Sequence, residues 1–381
     1  MPTVGERADE EPSFPLELFR CESCGHVQIG HEVSPEVLFP YSYPYLSGST
    51  KILRDNFQNL SEQCFKLNLI EKGSLVVDVG SNDGTLLTPF FNSGAKVLGI
   101  EPSKASEVAN NNGIETLNKY FNRESVEYVL QKFGKAKLVT AANVFAHIPN
   151  PHEVVDSIVM LMEDKGVFIS ESHYLLDLLE TNQYDTIYHE HLRYYHLDSL
   201  RKLFDSHGLE IFRCEKIPTH GGSIRVYSCR KGDFEIDKSV SEMIEIEEKK
   251  GMINGSLLSN FRQRVINSKV SLYSMLQKIK SEGNSIFGIG APSRASTLIN
   301  YLGLDDGIID AVMEVSTSHK LNKYMPGTRI PVLDESLLYE KQPQYVIMLS
   351  WHIAEDLIKI LKKKGYKGKY IIPLPEPYLI E

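Results

Sequence analysis

The chain contains no run of about 18 consecutive apolar residues, so the sequence offers no membrane-spanning helix. Its N-terminal stretch, MPTVGERADEEPSFPLELF, is acidic and has no apolar centre, which is not the pattern of a secretory signal. Cysteine is scarce, with five irregularly spaced in 381 residues, too few for a disulfide framework. Positive charge is in deficit, 41 Lys+Arg against 50 Asp+Glu, which argues against a broad nucleic-acid binder built on a cationic face. Tandem repeats and low-complexity tracts are also missing. The 42% hydrophobic content is that of a globular protein, and the length calls for two or three domains. The expectation is a soluble, cytoplasmic protein with no nucleic-acid or membrane partner. Its oligomeric state is not legible.

What is present is a strand–helix alternation. Apolar β-branched runs at 75–79, 96–100, 137–141 and 166–170 alternate with helical patterns of 10–15 residues, the signature of parallel βαβ units. Segments 209–213 and 223–227, joined by a turn with Gly221 and Gly222, read as an antiparallel pair at the sheet edge. From about 234 to 282 mixed charge, including the run Ile244–Lys250, suggests the solvated faces of two linker helices. A second α/β pattern follows, with strands at 285–290, 307–312, 345–349 and 370–373. The expected divisions are 1–65, 66–233 and 234–381.

The first strand of the central region ends in Asp78-Val79-Gly80-Ser81-Asn82-Asp83-Gly84. In an open α/β sheet the ligand crevice lies outside the carboxyl ends of the strands. A phosphate cradle there would favour a G-x-x-x-x-G-K-[ST] loop. Asp78 and Asp83 instead suit a ligand that carries positive charge and ribose hydroxyls. Glu101, closing the second strand, can take both hydroxyls of a ribose through its two oxygens. The set resembles class I S-adenosylmethionine-dependent methyltransferases, with an ordinary Rossmann strand end, or one that binds NAD, as the alternative.

Eight of the twelve histidines fall between His147 and His220. The densest piece is Tyr188-His189-Glu190-His191-Leu192-Arg193-Tyr194, which combines the usual participants in proton transfer near neutral pH. It is not an H-E-x-x-H zinc helix, whose histidines lie one turn apart. Acid–base chemistry, a metal held by His189, His191 and His220, and plain packing histidines all remain open on spacing alone.

Taken together the motifs resemble the sugar C-methyltransferase family, over nearly the whole chain. They are Cys21-x-x-Cys24-Gly25, Tyr43-Pro44-Tyr45-Leu46-Ser47, the Gly80–Gly84 loop, Asn143-Val144-Phe145-Ala146-His147, Tyr188–His191, Thr219–Arg225, Gly288-Ile289-Gly290-Ala291-Pro292 and Tyr324–Thr328. The resemblance implies an α/β fold with a central class I methyltransferase Rossmann-like sheet, a small N-terminal region and a second Rossmann-like domain at the C-terminus. It implies S-adenosylmethionine as cofactor and a nucleotide-linked keto-deoxysugar as substrate, methylated at carbon. His191 would be the base, with Glu190, Tyr188, His147 and Tyr43 completing the catalytic set. Asp78, Gly80, Ser81, Asn82, Asp83, Gly84, Glu101 and Asn143 would hold the cofactor. Tyr45, His189, Tyr194, His220 and Arg225 would line the sugar, with Arg294 and Lys320 available for its phosphates.

Two other outcomes share these motifs: methylation of a sugar oxygen, and a silent nucleotide-sugar-binding protein. A third, an NAD-dependent sugar oxidoreductase, would use Gly288-x-Gly290. The family's zinc module has two C-x-x-C pairs, whereas this sequence has one. Tetrahedral structural zinc wants four ligands; His26 and His31 could join Cys21 and Cys24, but Cys21-x-x-Cys24 with His26 is cramped, so the sequence argues against a closed zinc site. The lone Cys64, Cys214 and Cys229 read as core thiols.

Overall fold

The computed structural model describes residues 11–39, 41 and 45–381. The chain divides into two compact units. The larger comprises Leu16–Asp177 and His189–Gly255, so the N-terminal region packs with the central sheet. The other takes residues 178–188 together with 256–381 and the N-terminal end of the chain.

The larger unit contains strands β1 (Leu18–Arg20), β2 (Val27–Ile29), β3 (Leu75–Val79), β4 (Lys96–Ile100) and β5 (Thr116–Leu117). It continues with β6 (Ala136–Ala142), β7 (Met162–His173), β8 (Arg193–Tyr194), β9 (Leu209–Ile217) and β10 (Ser223–Arg230). Seven form one sheet in the order β5-β4-β3-β6-β7-β10-β9. Neighbours from β5 to β7 are parallel, and β10 runs antiparallel to both β7 and β9, as the Gly221-Gly222 turn suggested. Strand order reverses between β3 and β6, which opens the ligand crevice at their carboxyl ends. β3 is buried at four of its five positions because helices cover both faces, hence a continuous apolar run rather than an alternating one. The helix Lys51–Lys66 contributes Leu53, Phe57, Leu60 and Cys64 to the core, a 4-3-4 spacing that aligns them on one face. Each such buried side chain is worth about 1.5–3 kcal/mol.

One expectation fails in the linker helix Lys238–Lys249. Glu247, assigned to a solvated face, is fully buried. Its carboxylate accepts from the backbone N–H groups of Leu197 (2.5 Å) and Asp198 (3.0 Å) at the start of helix Leu197–Asp205. Tyr174 OH donates to it at 2.9 Å, and His196 Nδ1 lies 3.0 Å away. A carboxylate from one helix thus satisfies the open N–H groups of another, which stabilises an anion out of water.

The smaller unit carries β11 (Ile286–Ile289), β12 (Ala311–Glu314), β13 (Lys323–Tyr324), β14 (Pro331–Asp334), β15 (Tyr345–Met348), β16 (Lys369–Ile372) and β17 (Tyr378–Ile380). They form a second seven-stranded sheet in the order β13-β14-β12-β11-β15-β16-β17, parallel except for the two edge strands. The strand expected at 307–312 starts at Ala311, because Asp305 accepts from the N–H groups of Ile308 and Ile309 and folds the preceding residues into a turn. Among the described residues no helix is long and apolar enough to cross a membrane.

Candidate functional site

The loop after β3 turns on two left-handed positions, Gly80 (φ 67°) and Asn82 (φ 50°). A Cβ at Gly80 would lie 2.5 Å from Val144 Cγ2, so only glycine lets this loop approach the segment after β6. The N–H groups of Gly80 and Ser81 donate to the Ile100 carbonyl at 2.8 and 3.2 Å. Glu101, 7% exposed, accepts from Asn82 N (3.0 Å) through one oxygen and Ser103 N (2.8 Å) through the other. Each oxygen keeps a lone pair for one hydroxyl of a diol. Ser81 Oγ is buried against Gly99 of β4 and has no hydrogen-bond partner among the described residues.

Asp78 is buried beneath this loop and accepts from Thr140 Oγ1 at 2.7 Å. Burial pushes its carboxyl up to about 8, with the carboxylates of Glu101 and Glu171 adding to the shift and the Thr140 hydrogen bond opposing it. The folded state therefore holds a proton that the unfolded chain releases near pH 4. This group's contribution to stability is complete below that pH and disappears as pH rises through about 8. The ligand-free protein is expected to lose thermal stability between about pH 4 and 8, and Asp78→Asn to flatten that slope, as read by calorimetry. An unchanged slope in the variant would place the proton elsewhere.

Two of the expected cofactor residues have their side chains engaged within the protein. Asn82 Oδ1 accepts from Ser47 N (2.9 Å) and its Nδ2 donates to the Tyr45 carbonyl (3.1 Å). Asp83 accepts from Gly48 N (2.9 Å) and from the N–H (3.2 Å) and hydroxyl (2.6 Å) of Thr85. Both side chains strap residues 45–48 onto the loop, because backbone N–H groups reach them first. Tyr45 is largely exposed beside Asp83, and Tyr43 lies outside the described residues.

At the end of β6, Asn143 is left-handed (φ 59°) and its N–H donates to the Glu171 carbonyl at 2.8 Å. The chain then makes the short turn Phe145–His147, and Leu192 N donates to the Ala146 carbonyl at 2.8 Å. That bond draws the 189–191 turn against His147. Their rings lie 5.1 Å apart at 50°, with Phe39 edge-on to His147 at 5.2 Å and Tyr194 6.4 Å from His191. His147 Nδ1 faces the Glu190 carbonyl, an acceptor, which assigns the proton to Nδ1 and leaves Nε2 basic. Burial holds this imidazole below its ordinary value, and the Glu190 carbonyl pulls the other way. His189, Glu190 and His191 are half-buried, whereas His220 is exposed at a left-handed turn position (φ 54°) before β10. Tyr188 closes the segment that packs in the smaller unit.

The expected cationic contacts also differ. Arg225 is completely buried and donates to Glu171 (2.6 Å), Glu215 (3.0 Å) and the side chain of Asn56 (2.8 Å). Its guanidinium is engaged internally and supports the crevice rather than facing a sugar. Arg294 is 8% exposed and forms a fork with Asp185. Lys320 donates to the Ala291 carbonyl at 2.6 Å and keeps two further N–H groups. Glu314 closes β12 and accepts from Ala291 N at 2.6 Å, repeating the Glu101–Asn82 arrangement. Sequence reading missed Glu171, whose only signal was a carboxylate one residue past an apolar run.

In the N-terminal hairpin, Cys21 N donates to the His26 carbonyl and Gly25 N to the Cys21 carbonyl, which places both thiols on one turn. His26 is turned inward, 5.0 Å from the Tyr195 ring, and burial pushes it down to about 4. Among the described residues no group of three or more His, Cys, Asp or Glu side chains converges for a metal. Two thiols do not satisfy the four positions of structural zinc.

Three family models match: "Putative zinc binding domain" over residues 3–39, "Methyltransferase domain" over 49–213, and "C-methyltransferase C-terminal domain" over 218–375. The C-methyltransferase NovU of Streptomyces niveus is 33% identical over 98% of this chain and 89% of its own length. The chain belongs to the S-adenosylmethionine-dependent C-methyltransferase family. It is thus a methyltransferase that uses S-adenosylmethionine, as its sheet order and crevice chemistry indicated. Over 103 residues the C-methyltransferase chain is also 36% identical to a ubiquinone biosynthesis O-methyltransferase of Albidiferax ferrireducens, 26% of this chain and 41% of that one. A solved magnesium protoporphyrin IX methyltransferase from Synechocystis, with bound SAM, overlaps 47% of this chain and 79% of its own at 18% identity, with a TM-score of 0.36.

Proposed function

We propose that this C-methyltransferase acts on a nucleotide-linked 4-keto-deoxysugar, at the carbon beside the ketone, with His191 as the base. The observation that carries the reading is the His147–His191 pair at the end of β6. Val144, three residues before His147, packs against the cofactor loop at Gly80. A carbon beside a ketone is acidified because its carbanion delocalises into the carbonyl. His191 takes the proton as the C–H bond breaks, and the electron pair moves onto the ketone oxygen. Tyr194 and His147 are the donor and positioning group for that oxyanion. Glu190 orients the turn through its carbonyl bond to His147.

S-adenosylmethionine supplies an electrophilic methyl on a sulfonium. The nucleophilic carbon forms the new C–C bond as the C–S bond breaks, which leaves a neutral thioether. Glu101 would take the ribose hydroxyls, and Gly80, Ser81 and Gly84 would let the cofactor sit close. The Glu101 carboxylate gives the crevice negative charge, which favours a cation over the neutral product.

The test is incubation with methyl-labelled S-adenosylmethionine and a panel of dTDP- and GDP-linked keto-sugars, read by mass spectrometry. One panel member is expected to gain a methyl on carbon and to exchange its alpha hydrogen with deuterated water even without cofactor. Methyl gain on oxygen without that exchange would replace this reading by sugar O-methylation.

A further inference from the structure

The smaller unit repeats, within itself, the strand pattern that builds the cofactor crevice of the larger one. Its order β14-β12-β11-β15-β16-β17 matches β5-β4-β3-β6-β7-β10, with the last strand antiparallel to its neighbour in both. In the larger unit Val79 pairs with Ile100, Gly80 N donates to the Ile100 carbonyl, and Glu101 follows. In the smaller unit Ile289 pairs with Met313, Gly290 N donates to the Met313 carbonyl at 2.9 Å, and Glu314 follows. Gly290 is left-handed (φ 78°), as Gly80 is.

Glu314 is half-buried and accepts from Ala291 N at 2.6 Å through Oε1. Among the described residues no donor reaches its Oε2. Oε1 thus keeps one lone pair and Oε2 both, enough for the two hydroxyls of a ribose. The segment after β12 brings cations to the same place. Lys320 Nζ donates to the carbonyl of Ala291, the residue whose N–H Glu314 holds, and keeps two further N–H groups. His319 is held below its ordinary value first by burial and then by the Lys320 and Lys323 cations, with Glu314 pulling the other way, so these four groups share one neighbourhood. An acceptor for a diol beside two ammonium groups is the complement of a sugar with a phosphate on it.

The β15 side of the Gly290 loop is closed. Asp185, 1% exposed, accepts from Arg294 Nε (2.7 Å) and Nη2 (2.9 Å) in the first turn of helix Ser293–Leu302. It also accepts from Trp351 Nε1 (2.7 Å), just past β15. A dinucleotide would lay its second half across that side of the switch point, whereas a mononucleotide needs only the β12 side. We infer that the smaller unit holds a ribonucleoside 5′-phosphate of its own, with Glu314 on the 2′- and 3′-hydroxyls and Lys320 and Lys323 on the phosphate. Every group named belongs to the smaller unit, and the site stands apart from the proton-transfer chemistry proposed above.

The full-length protein would be saturated with S-adenosylmethionine, which fills the Glu101 crevice, and titrated by calorimetry. The probes are ADP, GDP and UDP, each beside its 2′-deoxy counterpart. At least one ribonucleotide is expected to bind with a Kd below roughly 1 mM. Its 2′-deoxy form should bind about tenfold or more weakly, the usual effect of a lost hydrogen bond to a charged group. Glu314→Gln keeps an acceptor for Ala291 N and should bring the two forms within about twofold of each other. Lys320→Met should weaken the nucleotide by about tenfold, preserve the ribose preference and leave the unphosphorylated nucleoside unaffected.

Amide exchange of the wild type needs no variant, and added nucleotide should protect 289–293 and 314–320. Equal binding of ribose and deoxyribose forms overturns the inference, as does the absence of binding. A ribose preference that survives Glu314→Gln, or protection confined to the loop after β3, places the nucleotide elsewhere and refutes it as well.

Discussion

His191→Asn is expected to abolish methyl transfer and, with it, solvent exchange of the sugar's alpha hydrogen. Asparagine approximates the size and polarity of imidazole but has no basic nitrogen near neutral pH. A positioned general base contributes about 10²–10⁴-fold, and a C–H acid offers no alternative hydroxyl chemistry, so both readouts should fall together. Cofactor affinity should change little, since His191 belongs to the turn held against Ala146 and His147 rather than to the loop after β3. The informative comparison is His147→Asn. His147 has its Nδ1 engaged by the Glu190 carbonyl, so its loss should misplace the turn and slow exchange without eliminating it. If His191→Asn washes out hydrogen at the wild-type rate, His147 becomes the base.

Arg225→Ala should produce the largest stability loss of any single change in the larger unit. The guanidinium is completely buried, and its removal strands the Glu171 carboxylate, itself 1% exposed, with Asn56 Nδ2 (2.8 Å) as its remaining side-chain donor. Removing one member of a buried ion pair typically costs about 3–5 kcal/mol, because the remaining charge keeps its desolvation penalty. For a unit of this size that corresponds to a fall in Tm of roughly 10 °C. The same network ties the helix Lys51–Lys66 to β7 and β10 through Asn56 and Asn59, and β10 to β9 through Glu215. The strap at 45–48 directly precedes that helix, so S-adenosylmethionine should bind more weakly in the variant as well. Double replacement of Arg225 and Glu171 by Met and Gln should recover part of the stability, since no unpaired charge is left behind. A shift in Tm below about 2 °C for Arg225→Ala would mean that water reaches Glu171.

The strands at 75–79 and 96–100 were readable to the residue because parallel strands covered on both faces need continuous apolar runs. Asp78 and Glu101 drew notice in the sequence as carboxylates in or just after such runs, and both are buried. Glu247 was not. Its charge sits in an acidic–basic stretch indistinguishable from a solvated helix face, and its partners are about 50 residues away. The partners of Arg225 and Arg294 were equally hidden: a cation near a motif suggests an anion in solution, and each meets a buried carboxylate of its own chain.

Local patterning carried the α/β class, the two sheets, the acidic glycine-containing loop after β3 and the grouping of histidines, because hydrophobic period and turn chemistry are written over a few residues. The choice of partner for each buried charge, the strap over Asn82 and Asp83, and the anchoring of 178–188 depend on contacts between distant segments. Such contacts are selected by which donors and acceptors remain unsatisfied once the sheets have formed, a condition no short window of sequence contains.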